Sequence, residues 1–140
     1  MPNSTIIRPA VIISILVGAA ILVAGTPASQ NSMRITGTYT NMYFNQEGGD
    51  LLGEELRIVA VSGGYQGTFQ VAEGEPENLV LVDIKTDGTN ITFSVPAVYL
   101  ESGTFAGTMQ NGVIKGNFRR PDGSAGETIT LKRGKSYWDQ

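Results

Sequence analysis

"FAGTMQNGVIKGNF", residues 105 to 118, has a turn at its centre and matching residues on either side of it. Asn111-Gly112 is the dipeptide of a two-residue hairpin turn, because both central positions need positive φ and Asn and Gly tolerate it. Such a turn fixes the register of its flanks. Gln110 then pairs with Val113, Met109 faces Ile114, Gly107 faces Gly116 and Phe105 faces Phe118. Side chains alternate along a strand with period two, so the last three pairs share one apolar face. Thr104, Ala106, Thr108, Lys115, Asn117 and Arg119 share the other.

Two more dipeptides extend the pattern. Asp87-Gly88, read as the same kind of turn, sets Ile84 opposite Ile91, Val82 opposite Phe93 and Val80 opposite Val95. Gly63-Gly64 sets Ala60 opposite Gly67, Ile58 opposite Phe69 and Leu56 opposite Val71. A one-residue slip would reverse the two faces of a hairpin, so a clean apolar side from three separate turns argues for this alternation. With a first strand near Ile35 to Tyr43 and a last near Glu127 to Arg133, the chain reads as eight antiparallel strands. The expected fold is all-β, an antiparallel up-and-down eight-stranded barrel, which closes its own edges. A two-sheet sandwich is the alternative.

Glycine recurs at the centre of the apolar stripe in "ITGTY" (35 to 39), "YQGTF" (65 to 69), "FAGTM" (105 to 109) and "IKGNF" (114 to 118). Strands that close into a small barrel must coil strongly, and an inward glycine permits the bend and the close approach of its neighbours. A large side chain lying over each gap, such as Tyr39, Phe69 or Phe105, is the expected compensation. Space left for a bound molecule is the other reading, since an eight-stranded interior either fills with side chains or holds one small ligand.

The three tight turns fall at one end of the strands. The other end carries "NQEGGDLLGE", "AEGEPEN", "PAVYLESG" and "RPDGSAG", longer loops rich in Gly, Pro and acids. Ligand sites favour such mouths. The inward stripe of the first strand runs through Gly37 and Tyr39 to Asn41 and Tyr43, while Tyr99 and Arg119 belong to the same end. Asn41, Tyr43, Tyr99 and Arg119 are therefore the expected contacts for a small apolar molecule at the open end. The alternative is a cell-surface structural or protein-interaction module whose barrel core is filled. "EGGDLLGEE" lacks the ligand spacing of an EF-hand loop and reads as a solvated turn.

Composition narrows the chemistry. The chain of 140 residues has no His and no Cys, which removes the commonest general base, most zinc sites and any disulfide. No Ser-Lys or paired-carboxylate constellation is visible, so no enzyme, cofactor or metal is expected. Ten acids lie between Glu47 and Glu101 against Arg57 and Lys85, whereas six basic residues lie between Lys115 and Lys135 against Asp122 and Glu127. An acidic chain without basic stripes is not expected to bind nucleic acid, but the basic last hairpin could meet an acidic protein. "NIT" at 90 to 92 is a glycosylation sequon in a eukaryotic secretory route.

Residues 1–28 have the grammar of export. "MPNSTIIR" precedes the uncharged apolar run from Pro9 to Gly25, and Thr26 and Ala28 fit a small-x-small cleavage site. The run also approaches the length that spans a bilayer. Residues 1–28 are thus read as a signal peptide or an uncleaved membrane anchor, and 29–140 as a β-barrel domain lying outside the cytoplasm, secreted, periplasmic or at the cell surface.

"ITGTYTN" and "YQGTFQVAEGEPENLVLV" resemble the first and third strands of the avidin family, exported eight-stranded barrels that bind biotin at the open end. The chain is similar in the same loose way to the wider calycin group, lipocalins included. The resemblance implies a barrel and covers about a third of the chain, with Asn41 matching a ligand-binding position of the family. That family boxes its ligand with several tryptophans; here Trp138 is alone and follows the last strand.

Overall fold

A computed structural model describes residues 34–99 and 102–139; the expected signal or anchor in residues 1–28 lies outside them. Nine strands follow in order: β1 (Gly37–Thr40), β2 (Tyr43–Asn45), β3 (Asp50–Val61), β4 (Gly64–Pro76), β5 (Val80–Asp87), β6 (Asn90–Val95), β7 (Gly103–Gln110), β8 (Val113–Arg119) and β9 (Ile129–Gly134). Each pairs antiparallel with its neighbours, and β1 pairs with both β9 and β3. That double pairing closes the cylinder and excludes the sandwich. β1 and β2 run along β3 in one register, Thr40 opposite Glu55 and Tyr43 opposite Leu52, with Asn41 and Met42 interrupting them. They act as one strand of an eight-stranded up-and-down barrel.

The β7–β8 hairpin has the register that Asn111-Gly112 dictates: Met109 faces Ile114, Gly107 faces Gly116 and Phe105 faces Phe118. Both turn residues take positive φ, 51° and 76°. The other two hairpins are displaced by two residues from the sequence reading. Ala60 faces Tyr65 and Ile58 faces Gly67, so Ser62-Gly63 makes the turn rather than Gly63-Gly64. Ile91 stands opposite Thr86 rather than Ile84, and Gly88-Thr89 makes that turn. Only the glycine of each pair has positive φ, 85° at Gly63 and 59° at Gly88. A turn needing one such residue leaves Gly64 and Asp87 free to join the ladder, and a shift of two keeps every side chain on its expected face.

Those faces meet in a filled interior. Phe69, Phe93, Phe105 and Phe118 form a cluster with ring centroids 4.8 to 5.8 Å apart, surrounded by Leu56, Ile58, Val82, Ile91, Ile114 and Leu131. The glycines set large beside small. Ile58 stands between Gly37 and Gly67, and the Gly107–Gly116 pair stands between Ile91 and Ile129. A methyl group on Gly107 would lie 2.9 Å from the Phe105 ring, so here an aromatic side chain covers the gap as expected. At the other two positions the cover differs: Leu56 lies beside Gly67, and the Arg133 guanidinium lies beside Gly37.

Arg133 plugs the tight-turn end. It lies on the inward stripe of β9, 4.9 Å over the Tyr39 ring. Its guanidinium donates to the carbonyls of Thr36 and Arg34 and to the Tyr39 hydroxyl. That hydroxyl in turn donates to the Ile35 carbonyl at 2.8 Å. Burial pushes the Tyr39 phenol above its ordinary pKa, and the Arg133 charge and hydrogen bond act against the rise.

Candidate functional site

Among the described residues, no hydrogen bond, ion pair or ring contact joins the four residues expected at the open end to one another. Asn41 fills the break between β1 and β2. Its side-chain oxygen accepts the Glu54 N–H at 2.6 Å, and its own N–H donates to the Glu54 carbonyl. Gly53, across from that break, has φ +104°, and any Cβ there would strike Asn41. Tyr43 is exposed. Tyr99 is half-buried against the core, its N–H bonded to the Pro96 carbonyl. Arg119 is exposed, opposite Thr104 on β7. Beneath Tyr99, the side chains of Phe69, Val71, Val80 and Val95 pack so closely that no water molecule fits between them.

Two of the four expected mouth loops, those before β3 and after β4, are shorter than their sequences suggest. β3 starts at Asp50 and β4 runs on to Pro76, so Leu51 to Gly53 pair with Ala72 to Gly74. "EGGDLLGEE" is thus largely strand rather than a solvated turn. The reason lies on the outer face, where Met42, Leu51 and Ala72 are buried beneath Tyr137.

Tyr137 belongs to a strap that the sequence reading missed. After β9 the chain turns across the outside of the barrel and ends in one 3₁₀ turn, Tyr137–Asp139. Ser136 caps that turn: its hydroxyl accepts the Trp138 N–H at 3.2 Å and donates to Glu55 Oε1 at 2.6 Å. Glu55 Oε2 accepts the Tyr137 N–H at 2.9 Å. A buried carboxylate is tolerated only when its oxygens are satisfied, and the strap satisfies both. Farther along, Trp138 Nε1 donates to Gln70 Oε1 at 2.9 Å, Gln70 Nε2 donates to the Glu77 carbonyl at 2.7 Å, and Arg57 pairs with Asp139 at 3.3 Å.

Between strap and barrel runs a groove of about 320 Å³. Thr68 and Gln70 form its floor, Arg57 and Asp139 lie at its charged side, and Trp138 and Leu79 supply apolar surface. Its volume falls at the lower end of the range for small-molecule sites, about 300 to 1,000 Å³. The signals that could have located it are a solitary tryptophan past the last strand and a Glu at an outward position of β3.

The charge split of the sequence is also spatial. The outer faces of β7, β8 and β9 carry Lys115, Arg119 and Lys132 among Thr104, Ala106, Thr108, Asn117 and Thr130, with no acid. Among the described residues, the ion pair Arg57–Asp139 involves none of these cations. No cluster of metal-ligating side chains occurs among the described residues. Comparison of the chain with protein-family models, curated proteins and solved structures gives no match.

Proposed function

We propose that this chain is an exported, non-enzymatic barrel that works through its outside, as a structural or protein-interaction module with a filled core. The observation that carries this reading is the interior: four phenylalanines and their aliphatic neighbours fill the middle of the barrel. The acid-free basic face of β7 to β9 favours an acidic protein partner, because exposed like charges steer and select oppositely charged surfaces. Kinship with calycin-type barrels fits the closed eight-strand order and is part of the same proposal.

Binding of the full-length chain to immobilised polyglutamate at stepped ionic strength tests the reading. Association is expected to weaken as salt rises, with Lys132→Ala and Arg119→Ala each lowering it severalfold. Salt-independent binding, or binding untouched by both substitutions, would refute it. The competing reading, a small apolar molecule at the open end held by Asn41, Tyr43, Tyr99 and Arg119, predicts instead saturable uptake of an apolar fluorescent dye that Tyr99→Ala abolishes.

A further inference from the structure

We propose that the groove beneath the C-terminal strap is a binding site for a neutral saccharide, with the indole of Trp138 as the surface for one pyranose ring. The proposal rests on the reading that the barrel works through its outside, and it places a second site on the β3–β4 side.

Several polar groups around the groove are already engaged within the fold. Gln70 spends both ends of its amide on Trp138 and the Glu77 carbonyl, and both Glu55 oxygens are engaged by the strap. The indole is therefore held by its N–H edge while 52% of the residue stays exposed. A pre-oriented aromatic loses little freedom on binding. What remains for a ligand is the Thr68 hydroxyl, which makes no hydrogen bond within the described residues, and the remaining N–H groups of Arg57 and second oxygen of Asp139. That set mixes donors and acceptors beside one aromatic surface.

Charge and polarity then select the ligand class. A lipid chain would leave the Thr68 and Arg57 polar groups desolvated without partners. An anion would meet one guanidinium already paired with Asp139, above the Glu55 carboxylate. A pyranose has an apolar C–H face for the indole and a rim of vicinal hydroxyls that donate and accept. It fits both halves of the groove.

Trp138 is the chain's single tryptophan, so its fluorescence reports on this groove alone. Full-length protein is titrated with cellotriose, maltotriose and triacetylchitotriose. A saturable change in Trp138 emission is expected with at least one of them, weakened about tenfold by Thr68→Val, which removes a hydroxyl's hydrogen bond and touches nothing that holds the strap. Arg57→Lys, which keeps the charge and loses the planar fork, is expected to weaken it as well. Silence with all three sugars, or a change that both variants leave intact, overturns the proposal. Polyglutamate binding measured on the same samples separates the outcomes: retained salt-sensitive binding with no sugar response sinks the groove and spares the outer-surface reading, and loss of both sinks both.

Discussion

Along β3 the even-numbered and odd-numbered side chains are held by different forces. Leu56 and Ile58 point inward to a continuous apolar core. Leu51 and Glu55, on the outer face of the same strand, are buried by a few residues of the C-terminal strap. The core is many weak contacts shared by all eight strands, so no single strand can leave it alone. The strap is a handful of directed hydrogen bonds around one carboxylate and one small apolar cluster. The first should fail cooperatively with the whole barrel, and the second should open by itself.

Truncating the aromatic cluster makes the largest difference between the two. Phe118 is fully buried against Phe69, Phe93 and Phe105. Phe118→Ala should lower unfolding free energy by about 3 to 5 kcal/mol, the cost of lost transfer energy plus a cavity the barrel cannot close. Chemical denaturation followed by far-ultraviolet circular dichroism of the strands and by hydrogen exchange of the β4 and β8 amides should show both signals moving to the same lower midpoint. Separate midpoints, or a loss below about 1 kcal/mol, would mean that the interior is not one packed unit.

Inside and outside were also unequally legible. Period-two alternation placed Leu56, Ile58, Phe69, Phe93, Phe105 and Phe118 inside without knowledge of the exact pairing, because a register error of two residues leaves each face unchanged. That is why the β3–β4 and β5–β6 hairpins could be misregistered while the core residues remained correct. Of the three turn dipeptides, only Asn111-Gly112 adopts positive φ at both positions. The strap carries no period at all. Glu55 sits in a stretch that reads as acidic turn, and its partners Ser136 and Tyr137 lie 81 and 82 residues away, a separation that no local pattern reveals. The alternation of the first strand puts Asn41 on the inward stripe, yet the residue is exposed in the break between β1 and β2 and its side chain bonds the ladder at Glu54.

Removing the Glu55 carboxylate tests the outer half directly. Glu55→Ala leaves the Ser136 hydroxyl and the Tyr137 N–H without their acceptor in a buried position, a loss of about 1 to 3 kcal/mol. The strap's own hold is of that order, so it should detach while the barrel stays closed. Hydrogen exchange at Tyr137 and Trp138 should accelerate, and Trp138 emission should shift toward that of a solvated indole, with little movement of the main unfolding midpoint. A matching drop in barrel stability would show that strap and core are coupled.

The polar plug at the tight-turn end offers a subtler contrast, because it lies inside yet depends on charge. The Tyr39 phenol is raised in the fold by burial, against the opposing pull of Arg133. The unfolded chain then releases the phenolic proton at lower pH than the folded one, so the contribution is intact below about pH 10 and is lost as pH rises through the folded pKa. An alkaline decline in stability should follow, and Tyr39→Phe should flatten it while costing about 1 kcal/mol at neutral pH through the lost hydroxyl bonds. An unchanged alkaline limb in that variant would place the titrating group elsewhere.

The smallest effect belongs to Arg57 and Asp139, which join strap and barrel across 3.3 Å with side chains 49% and 63% exposed. At that exposure water and salt screen most of the attraction, and the pair contributes about 0.2 to 1 kcal/mol at best. Asp139→Asn should therefore leave the barrel midpoint unchanged and shift strap opening only slightly, with the difference vanishing as ionic strength rises. The double change Glu55→Ala with Asp139→Asn should then exchange at the same rate as Glu55→Ala alone, because a strap already detached by loss of the buried cap no longer holds Asp139 against Arg57. Faster exchange in the double variant would mean that the ion pair still holds the strap after Glu55→Ala, and that the groove wall is secured from its charged side.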